Sequence, residues 1–205
     1  MTSIDVLTPP QLFNQVVGSV VFINNVDLDG NSWYGGGYIH SNSGLIVSAA
    51  HVVFRTNLLN IVTFSGNTYT GQVTKIDEGI DLAAIQINTT DKLIQAKTAD
   101  LITVKIGEPI CAIGHPYRFQ WSLTKGIISQ IRKEVINHNG RAGPYILKDA
   151  LQIDCPVNIG NSGGPIFDLQ GRVLGTCSMV ASRSGDNSGV AFCNSMPNIK
   201  KFLLG

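Results

Sequence analysis

The feature that most constrains this 205-residue chain is its division into short segments rich in valine, isoleucine and threonine. Glycine, asparagine, serine or aspartate punctuates these segments, as in GLIVSA, TYTGQVTKI, DLAAIQI and GRVLGTCSMV. Short strands separated by turns every ~8–12 residues are typical of β-barrels and β-sandwiches. A helical pattern is clear only in SMPNIKKFLLG, with Ser195 as its N-cap, while PPQLFNQVV offers a shorter second helix. The pattern therefore predicts an all-β fold, built as two barrels.

We expect residues 1–205 to form a single domain made of two β halves. Residues 88–106 show no strand alternation, so this segment is predicted to connect the halves. The N-terminal barrel then occupies about residues 15–90 and the C-terminal barrel about residues 106–194. The C-terminal helix is expected at about residues 195–204.

Composition narrows the function classes. The chain is 43% hydrophobic and 14% charged, against a usual charged fraction of about 25%, so we expect a substantial core. The formal net charge is +1, without a basic patch, which argues against a nucleic-acid partner. No apolar run approaches the roughly 18 residues of a membrane span, and the N-terminus MTSIDVLTPPQLFNQ lacks the features of a signal peptide.

The four cysteines predict neither a metal site nor a disulfide framework. No pair has C-x-x-C spacing, and the spacings suit no zinc site, so no metal is expected. Their flanks are mostly apolar, which favours buried free thiols over disulfides. Free thiols persist in reducing compartments, so we expect an intracellular, cytoplasmic setting. The residues are Cys111, Cys155, Cys177 and Cys193.

The hexapeptide GNSGGP, residues 160–165, places Ser162 among three glycines. Glycine allows positive φ angles and close backbone approach, so a serine on such a turn has an exposed hydroxyl beside bare N–H groups. A serine nucleophile needs this arrangement. The alternative is an ordinary glycine-rich turn, and a base with an orienting acid would decide between them.

His51 is the best candidate for the base. It follows an apolar strand and two alanines in GLIVSAAHVV, where small residues let an imidazole face a cleft. The other three histidines are predicted to lie in turns or loops, and for the last two a structural role is favoured: His40, His115 and His138.

Asp81 is the best candidate for the acid because it opens the apolar run DLAAIQI and can face inward. Asp77 and Glu78 are instead expected to be solvated turn residues. The required carboxylate holds the imidazole in one tautomer and stabilises its cation.

Chain order separates the possible folds. The motif G-x-S-x-G also fits the nucleophile elbow of α/β-hydrolases, but their histidine follows the serine, and no histidine follows His138 here. A subtilisin-like order would need an aspartate ahead of His51 on an α/β fold; Asp5, Asp27 and Asp29 precede it, but the all-β pattern argues against that fold. The order histidine, aspartate, serine is that of chymotrypsin-type two-barrel proteases.

Five blocks together resemble the protease domain of HtrA/Deg-type serine proteases, within the trypsin-like clan. They are GGGYIHSNSGLIVSAAHVV, VTKIDEGIDLAAIQI, IGEPICAIGHPYRFQWSLTKGIISQIRKE, ALQIDCPVNIGNSGGPIFDLQGRVLGTCSM and SGVAFCNSMPNIKKFL. The resemblance implies two six-stranded antiparallel β-barrels with the active site in the cleft between them. It implies a serine endopeptidase with Ser162 as nucleophile, His51 as general base and acid, and Asp81 as orienting carboxylate, acting on protein or peptide substrates without a cofactor.

The resemblance also assigns the finer parts of the site. The backbone N–H groups of Gly160 and Ser162 would form the oxyanion hole. The substrate pocket would be lined by Val157 and by Thr176, Cys177 and Ser178. Trypsin-like enzymes that cleave after lysine or arginine carry an aspartate six residues before the nucleophile, where this chain has Pro156. A small or medium apolar P1 residue is therefore expected, although Asp154 places a charge nearby.

Three departures from the family are expected: no PDZ domain after the protease region, no signal peptide, and Ile159 where many relatives have proline. Family members often form trimers through the N-terminal segment. Phe13 and Val16 are candidates for such a homotrimer, or else they pack on their own barrel. Two other functions stay open: a catalytically quiet protein that binds peptides or partners, and a self-processing, viral-type protease with one cleavage site.

Overall fold

The computed structural model describes residues 6–99, 104–181 and 188–205. Its first half is a closed antiparallel barrel, in which the six strands pair in the order β1-β2-β3-β6-β5-β4 and β4 returns to β1. The strands are β1 (Val20–Asp27), β2 (Ser32–Ile39), β3 (Leu45–Ser48), β4 (Thr56–Thr63), β5 (Thr68–Asp77) and β6 (Leu82–Ile87).

The second half is also a ring of six antiparallel strands. They pair in the order β11-β8-β9-β10-β13-β12, and an additional β11–β12 pairing closes the ring. The short strand β7 adds to β12 in parallel. The bounds are β7 (Lys97–Thr98), β8 (Pro109–Gly114), β9 (Ser122–Asn137), β10 (Tyr145–Ile153), β11 (Pro165–Asp168), β12 (Arg172–Val180) and β13 (Ala191–Ser195). The predicted all-β, two-barrel fold is confirmed.

Two short helices cover the seam between the barrels. Helix α1 (Pro9–Val16) begins at a capping box formed by Thr8 and Gln11. Helix α2 (Met196–Leu204) follows β13 directly, with Ser195 in the N-cap position and a proline in its first turn, as predicted. Among the described residues, no helix has the length and apolar character needed to cross a membrane.

The apolar residues divide into separate cores. Each barrel interior holds its own cluster, and a third cluster lies between the barrels and takes residues from both of them and from both helices. In β6, Leu82 and Ala84 join the cluster between the barrels while Ala83 and Ile85 join the interior of the first barrel. Because β6 is buried on both faces, its sequence is a continuous apolar run rather than an alternating one.

Two elements differ from the sequence-based expectation. The connecting segment at 88–106 contains the two-residue strand β7, and residues 100–103 of it lie outside the described part of the chain. Strand β9 is longer than its apolar stretch indicates, because the polar stretch RKEVIN also pairs with β10, from Arg132 to Asn137. The β9–β10 hairpin therefore extends further than the hydrophobic pattern predicts, and it brings residues 138–144 toward the first barrel.

Replacing Ile85 with alanine should destabilise the first barrel, since this side chain is fully buried inside it. Replacing a buried isoleucine with alanine lowers the free energy of unfolding by about 2–5 kcal/mol. Urea unfolding of the intact chain measures the change. Ile106→Ala is the matched control, because Ile106 is 60% exposed, and such surface changes stay within about 0.5 kcal/mol. Equal losses in the two variants would contradict the assignment of Ile85 to the core.

Candidate active site

A cleft of about 440 Å³ lies between the barrels and receives side chains from both. His51 and Ser162, two of the three predicted catalytic residues, line the same cleft. The other lining residues from the first half are Trp33, Tyr34 and Val52, and those from the second are Asn139, Arg141, Val157–Asn161 and Cys177–Val180.

His51 lies in the short turn Ala50–Val52 that follows β3. The two preceding alanines are fully buried, so the chain can turn at this point and place the imidazole at the cleft. Nδ1 of His51 lies 2.9 Å from Oδ1 and 3.0 Å from Oδ2 of Asp81. An ionised carboxylate only accepts hydrogen bonds, so Nδ1 carries the hydrogen and Nε2 is left as the acceptor.

Asp81 immediately precedes β6, is 1% exposed and has a φ angle of +57°, in the left-handed region. Its carboxylate accepts further hydrogen bonds from the backbone N–H of His51, at 3.0 Å, and from the hydroxyl of Ser178. The Ser178 hydroxyl also lies 3.0 Å from the Tyr145 hydroxyl, which belongs to the second barrel as well. Asp81 is thus held by donors from both barrels.

The protonation of His51 is set by three opposing influences. Burial of the ring favours the neutral form and acts to lower its pKa, while the charge of Asp81 and its hydrogen bond act to raise it. The positive charge of Arg141 acts to lower it as well. The balance leaves the pKa of His51 above its ordinary value of 6.5.

Ser162 lies on a turn whose backbone conformation requires glycine at position 160. Gly160 has φ +102°, and a Cβ atom there would lie 2.2 Å from the carbonyl oxygen of His115. Five backbone hydrogen bonds hold residues 160–164, including those from the Gly163 N–H to the Cys177 carbonyl and from the Gly36 N–H to the Ser162 carbonyl. Glycine is required here by both the backbone angle and the close approach.

Two backbone donors of this turn are unused. The N–H groups of Gly160 and Ser162 donate no hydrogen bond to any described residue. The Ile159 carbonyl accepts from the Tyr117 N–H at 2.9 Å. Because a trans peptide points its C=O and N–H in opposite directions, the Gly160 N–H is directed away from Tyr117. Both groups are therefore available to an acceptor.

The glycines of β2 let the first barrel approach this turn. A Cβ atom on Gly35 would lie 2.8 Å from the carbonyl oxygen of Ser162, and one on Gly36 would lie 3.0 Å from the Cα atom of Gly164. Distances under 3.0 Å are incompatible with any side chain at Gly35 unless the backbone moves. The block GGGYIH thus places His51's barrel directly against Ser162.

The structure brings most of the predicted pocket residues to the cleft. Val157, Cys177 and Ser178 line it, whereas Thr176 does not: it is 1% exposed and its side chain is buried behind the cleft wall. The register of β12 against β13 shifts between Cys177 and Met179, so simple alternation does not hold along this part of the strand, and four consecutive residues, Cys177–Val180, line the cleft. Met179 and Val180, which sequence reasoning missed, extend the wall instead.

Asp154 and Pro156 are both exposed residues outside the cleft lining. The Asp154 carboxylate accepts the Ile127 N–H at 2.7 Å. No carboxylate therefore lies among the residues that line the cleft in the described chain.

All four cysteines are buried and free. The Sγ atoms of Cys177 and Cys193, which are paired across β12 and β13, lie 3.8 Å apart. Burial raises the pKa of Cys155 to about 12, so its thiol stays protonated near neutral pH. Within the described ranges, no group of three or more potential metal ligands comes together.

Two of the other three histidines, His115 and His40, have different surroundings. His115 is fully buried: its Nε2 donates to the Val21 carbonyl at 3.0 Å and its Nδ1 accepts from the Trp121 N–H at 3.1 Å. Burial lowers the pKa of His115 to about 4, so it is neutral near pH 7. His40 is half-buried at the end of β2 and does not line the cleft. Neither contacts Asp81 through any recorded hydrogen bond of the described chain.

Comparison with known proteins identifies relatives with the same domain. The family model of the trypsin-like peptidase domain matches residues 35–175. A probable periplasmic serine endoprotease, DegP-like, of Bartonella henselae is 33% identical over 159 residues, covering 78% of this chain and 30% of the relative. Serine protease HTRA1 of Xenopus tropicalis is 34% identical over 175 residues, with coverage of 82% and 35%. The predicted resemblance to HtrA/Deg-type proteases is confirmed.

Solved structures agree on the fold. The HtrA-type protease AlgW with a tripeptide superposes with a TM-score of 0.85 at 23% identity, covering 96% of this chain and 62% of that one.

A further sequence relative is Protease Do-like 1, a chloroplastic protein of Arabidopsis thaliana, which is 29% identical over 202 residues, with 45% of its length covered. The chain thus spans between 30% and 45% of the length of these curated relatives.

The expected cytoplasmic setting is wrong. The relatives from Bartonella and Brucella are named periplasmic, and the relative from Arabidopsis is named chloroplastic. The inference from free thiols failed for a physical reason: burial alone protects all four cysteines, so their free state does not report the redox potential outside the protein.

Replacing Asp81 with asparagine should lower the pKa of His51. The substitution removes the negative charge and the carboxylate acceptor that raise this pKa, while burial and the charge of Arg141 still act to lower it. NMR titration of the His51 ring resonances measures this pKa, which we expect to be lower in the variant than in the wild-type protein. Asp77→Asn, at an exposed carboxylate, is the control; a His51 pKa that moves equally in both variants would contradict the assigned pairing.

Proposed function

The chain belongs to the trypsin-like peptidase family, and on that premise we propose that it is a serine endopeptidase. One observation carries the proposal. A buried carboxylate, Asp81, holds Nδ1 of His51 at 2.9 Å, and the imidazole lines the same cleft as Ser162 on its glycine turn. The tripeptide bound to AlgW supports a peptide as the class of substrate.

The three side chains would divide the reaction between them. The Oγ atom of Ser162 attacks the carbonyl carbon of the peptide bond as Nε2 of His51 takes its proton. His51 then gives that proton to the leaving amine, and an ester between Ser162 and the acyl part of the substrate remains. A water molecule, deprotonated by His51, hydrolyses the ester and restores the serine. Asp81 stabilises the imidazolium that forms in each step.

The unused N–H groups of Gly160 and Ser162 would form the oxyanion hole. The tetrahedral intermediate carries a negative oxygen, which two preorganised donors stabilise far better than water does in a closed site. Support comes from the fixed orientation of the Ile159–Gly160 peptide, whose carbonyl is bound by Tyr117. Losing one such donor typically costs about 10²–10³ in turnover.

The pocket favours a small or medium apolar P1 side chain. Its wall consists of Val157, Cys177, Met179 and Val180, together with Ser178, whose hydroxyl is already committed to Asp81. Asp154 lies outside the lining, so the pocket offers no carboxylate to a lysine or arginine side chain. Valine, alanine and leucine are the side chains that this wall suits.

A homotrimer stays a prediction that rests on the family resemblance. Of the two candidate residues, Val16 belongs to the core between the barrels and is 5% exposed. Phe13 packs edge-on against Phe64, with ring centroids 6.1 Å apart, and Phe64 is itself exposed. Of the two candidates, Phe13 is therefore the one that a second copy could contact.

The purified protein should react with a fluorophosphonate probe at a single residue, with one probe per chain. Ser162 Oγ displaces fluoride from phosphorus only if His51 accepts its proton, so Ser162→Ala and His51→Ala should both lose labelling. In such triads, loss of either residue costs about 10⁶ in turnover. Intact-mass spectrometry gives the stoichiometry, and Ser43→Ala, at an exposed serine outside the cleft, should label normally. Folded wild-type protein that stays unlabelled would favour a catalytically quiet binding protein.

Cleavage of a peptide library should occur mainly after valine, alanine or leucine, as read by mass spectrometry of the products. This preference is expected because the pocket wall is apolar and no carboxylate lines it in the described chain. Dominant cleavage after arginine or lysine would contradict it. Cleavage confined to one long defined sequence, with casein left intact, would instead favour a self-processing protease.

A further inference from the structure

The tip of the β9–β10 hairpin, residues 138–144, brings a cation into the cleft. Arg141 lies on this tip and is among the residues that line the cleft with His51 and Ser162. The hairpin belongs to the second barrel, yet Arg141 contacts residues of the first, so its side chain reaches across the cleft. In the proposed mechanism, Arg141 has no role.

Two contacts fix the guanidinium in place. Its central carbon lies 3.4 Å from the centroid of the Trp33 ring, which is close stacking for a cation on an aromatic face. Its Nη2 atom lies 3.3 Å from Oδ2 of Asp27. With 23% of its side chain exposed, Arg141 is partly removed from water but still open to the cleft. A side chain held in this way loses little conformational entropy on binding a ligand.

The Asp27 carboxylate takes up little of the hydrogen-bonding capacity of Arg141, because other donors already satisfy Asp27. Its Oδ1 accepts the backbone N–H groups of Asp29 and Asn31, both at 2.9 Å. Its Oδ2 accepts the indole N–H of Trp33 at 3.1 Å and the amide of Asn31 at 3.4 Å. Arg141 is left with one long bond, and its other N–H donors have no recorded partner among the described residues. A guanidinium has five such donors.

The position of Arg141 relative to Ser162 follows from β2. Trp33, on which Arg141 stacks, precedes Gly35 by two residues, and Gly35 touches the Ser162 carbonyl. A strand rises about 3.3 Å per residue, so the Cα atom of Trp33 lies roughly 7 Å along β2 from that of Gly35. That is the length of about two residues of an extended peptide. The effect of Arg141 on the pKa of His51 agrees with this proximity.

We propose that Arg141 is a specificity-determining residue that binds an aspartate or glutamate side chain of the substrate within two residues of the scissile bond. The inference rests on the proposed endopeptidase function, since it assigns a subsite of the same cleft. A carboxylate matches the planar fork of unused guanidinium donors and can accept two of them in parallel. The Trp33 ring beneath the guanidinium keeps that fork facing the cleft.

The test measures binding without cleavage. Ser162→Ala protein, as the full chain, is titrated with fluorescent peptides that carry leucine at P1 and either glutamate or glutamine at one of the three other positions within two residues of the scissile bond, P2, P1′ and P2′. Charge-assisted hydrogen bonds at a partly exposed site should make one glutamate peptide bind about tenfold more tightly than its glutamine partner. Raising the salt concentration should shrink the ratio, because the screening length shortens.

Adding Arg141→Gln to the same protein should abolish the glutamate preference and leave the affinity of the glutamine peptides unchanged. Arg132→Gln is the matched control: Arg132 lies on the same hairpin, bonds to Gln152 and is outside the cleft lining, so the preference should persist. Arg141→Lys, which keeps the charge and loses the fork, should retain part of it. Thermal melting of each variant establishes that the chain is folded.

Equal binding of glutamate and glutamine peptides at all three positions would overturn the inference, as would a preference that survives Arg141→Gln in folded protein. The fluorophosphonate reaction separates this failure from failure of the endopeptidase proposal. Labelling of Ser162 without any glutamate preference would refute the role of Arg141 alone. A glutamate preference that depends on Arg141, in a protein whose Ser162 never labels, would support the carboxylate subsite and refute the peptidase.

Discussion

The buried carboxylate of Asp81 is the interaction on which the rest of this structure depends. It receives two donors from His51, in the first barrel, and one from Ser178, in the second. A buried charge that loses a partner costs about 3–5 kcal/mol of stability, so Asp81 is tolerated only when the two barrels are docked. The geometry that orients the imidazole is therefore also a condition for the two halves to fit together.

The second condition for docking is the close approach of backbone to backbone. Gly35 and Gly36 of β2 lie against the turn that carries Ser162, and the Gly36 N–H binds the Ser162 carbonyl at 2.8 Å. Side chains at these glycines would separate the barrels and move the serine away from His51. The sequence blocks GGGYIH and GNSGGP are thus two sides of one contact, although Gly36 and Gly160 are 124 residues apart in the chain.

Much of this arrangement could be predicted from the sequence because it depends on local patterns. The turn at Ser162 needs glycine at fixed positions, and the burial of Asp81 follows from the apolar run that it opens. That Cys177–Val180 rather than Thr176 line the cleft could not be predicted, because the register of β12 against β13 shifts between Cys177 and Met179 and such an irregularity changes which side chains share a face. The reach of the β9–β10 hairpin was harder to predict, because polar residues interrupt the apolar pattern of its outer half, where Val135, Tyr145 and Leu147 pack in a small cluster of their own. Arg141 was missed for that reason, as its partners Asp27 and Trp33 are distant in sequence.

Strand β6 and its neighbours at the seam have a consequence for motion. A slab of closely packed side chains that is buried on both faces is nearly incompressible, and the cluster between the barrels includes both terminal helices. The two barrels should therefore move as one body, without the hinge that many two-lobed enzymes use to close on a ligand. Any adjustment to a substrate falls to the segments that border the cleft. Selectivity in such a molecule can change through a loop of a few residues while the frame beneath it stays rigid.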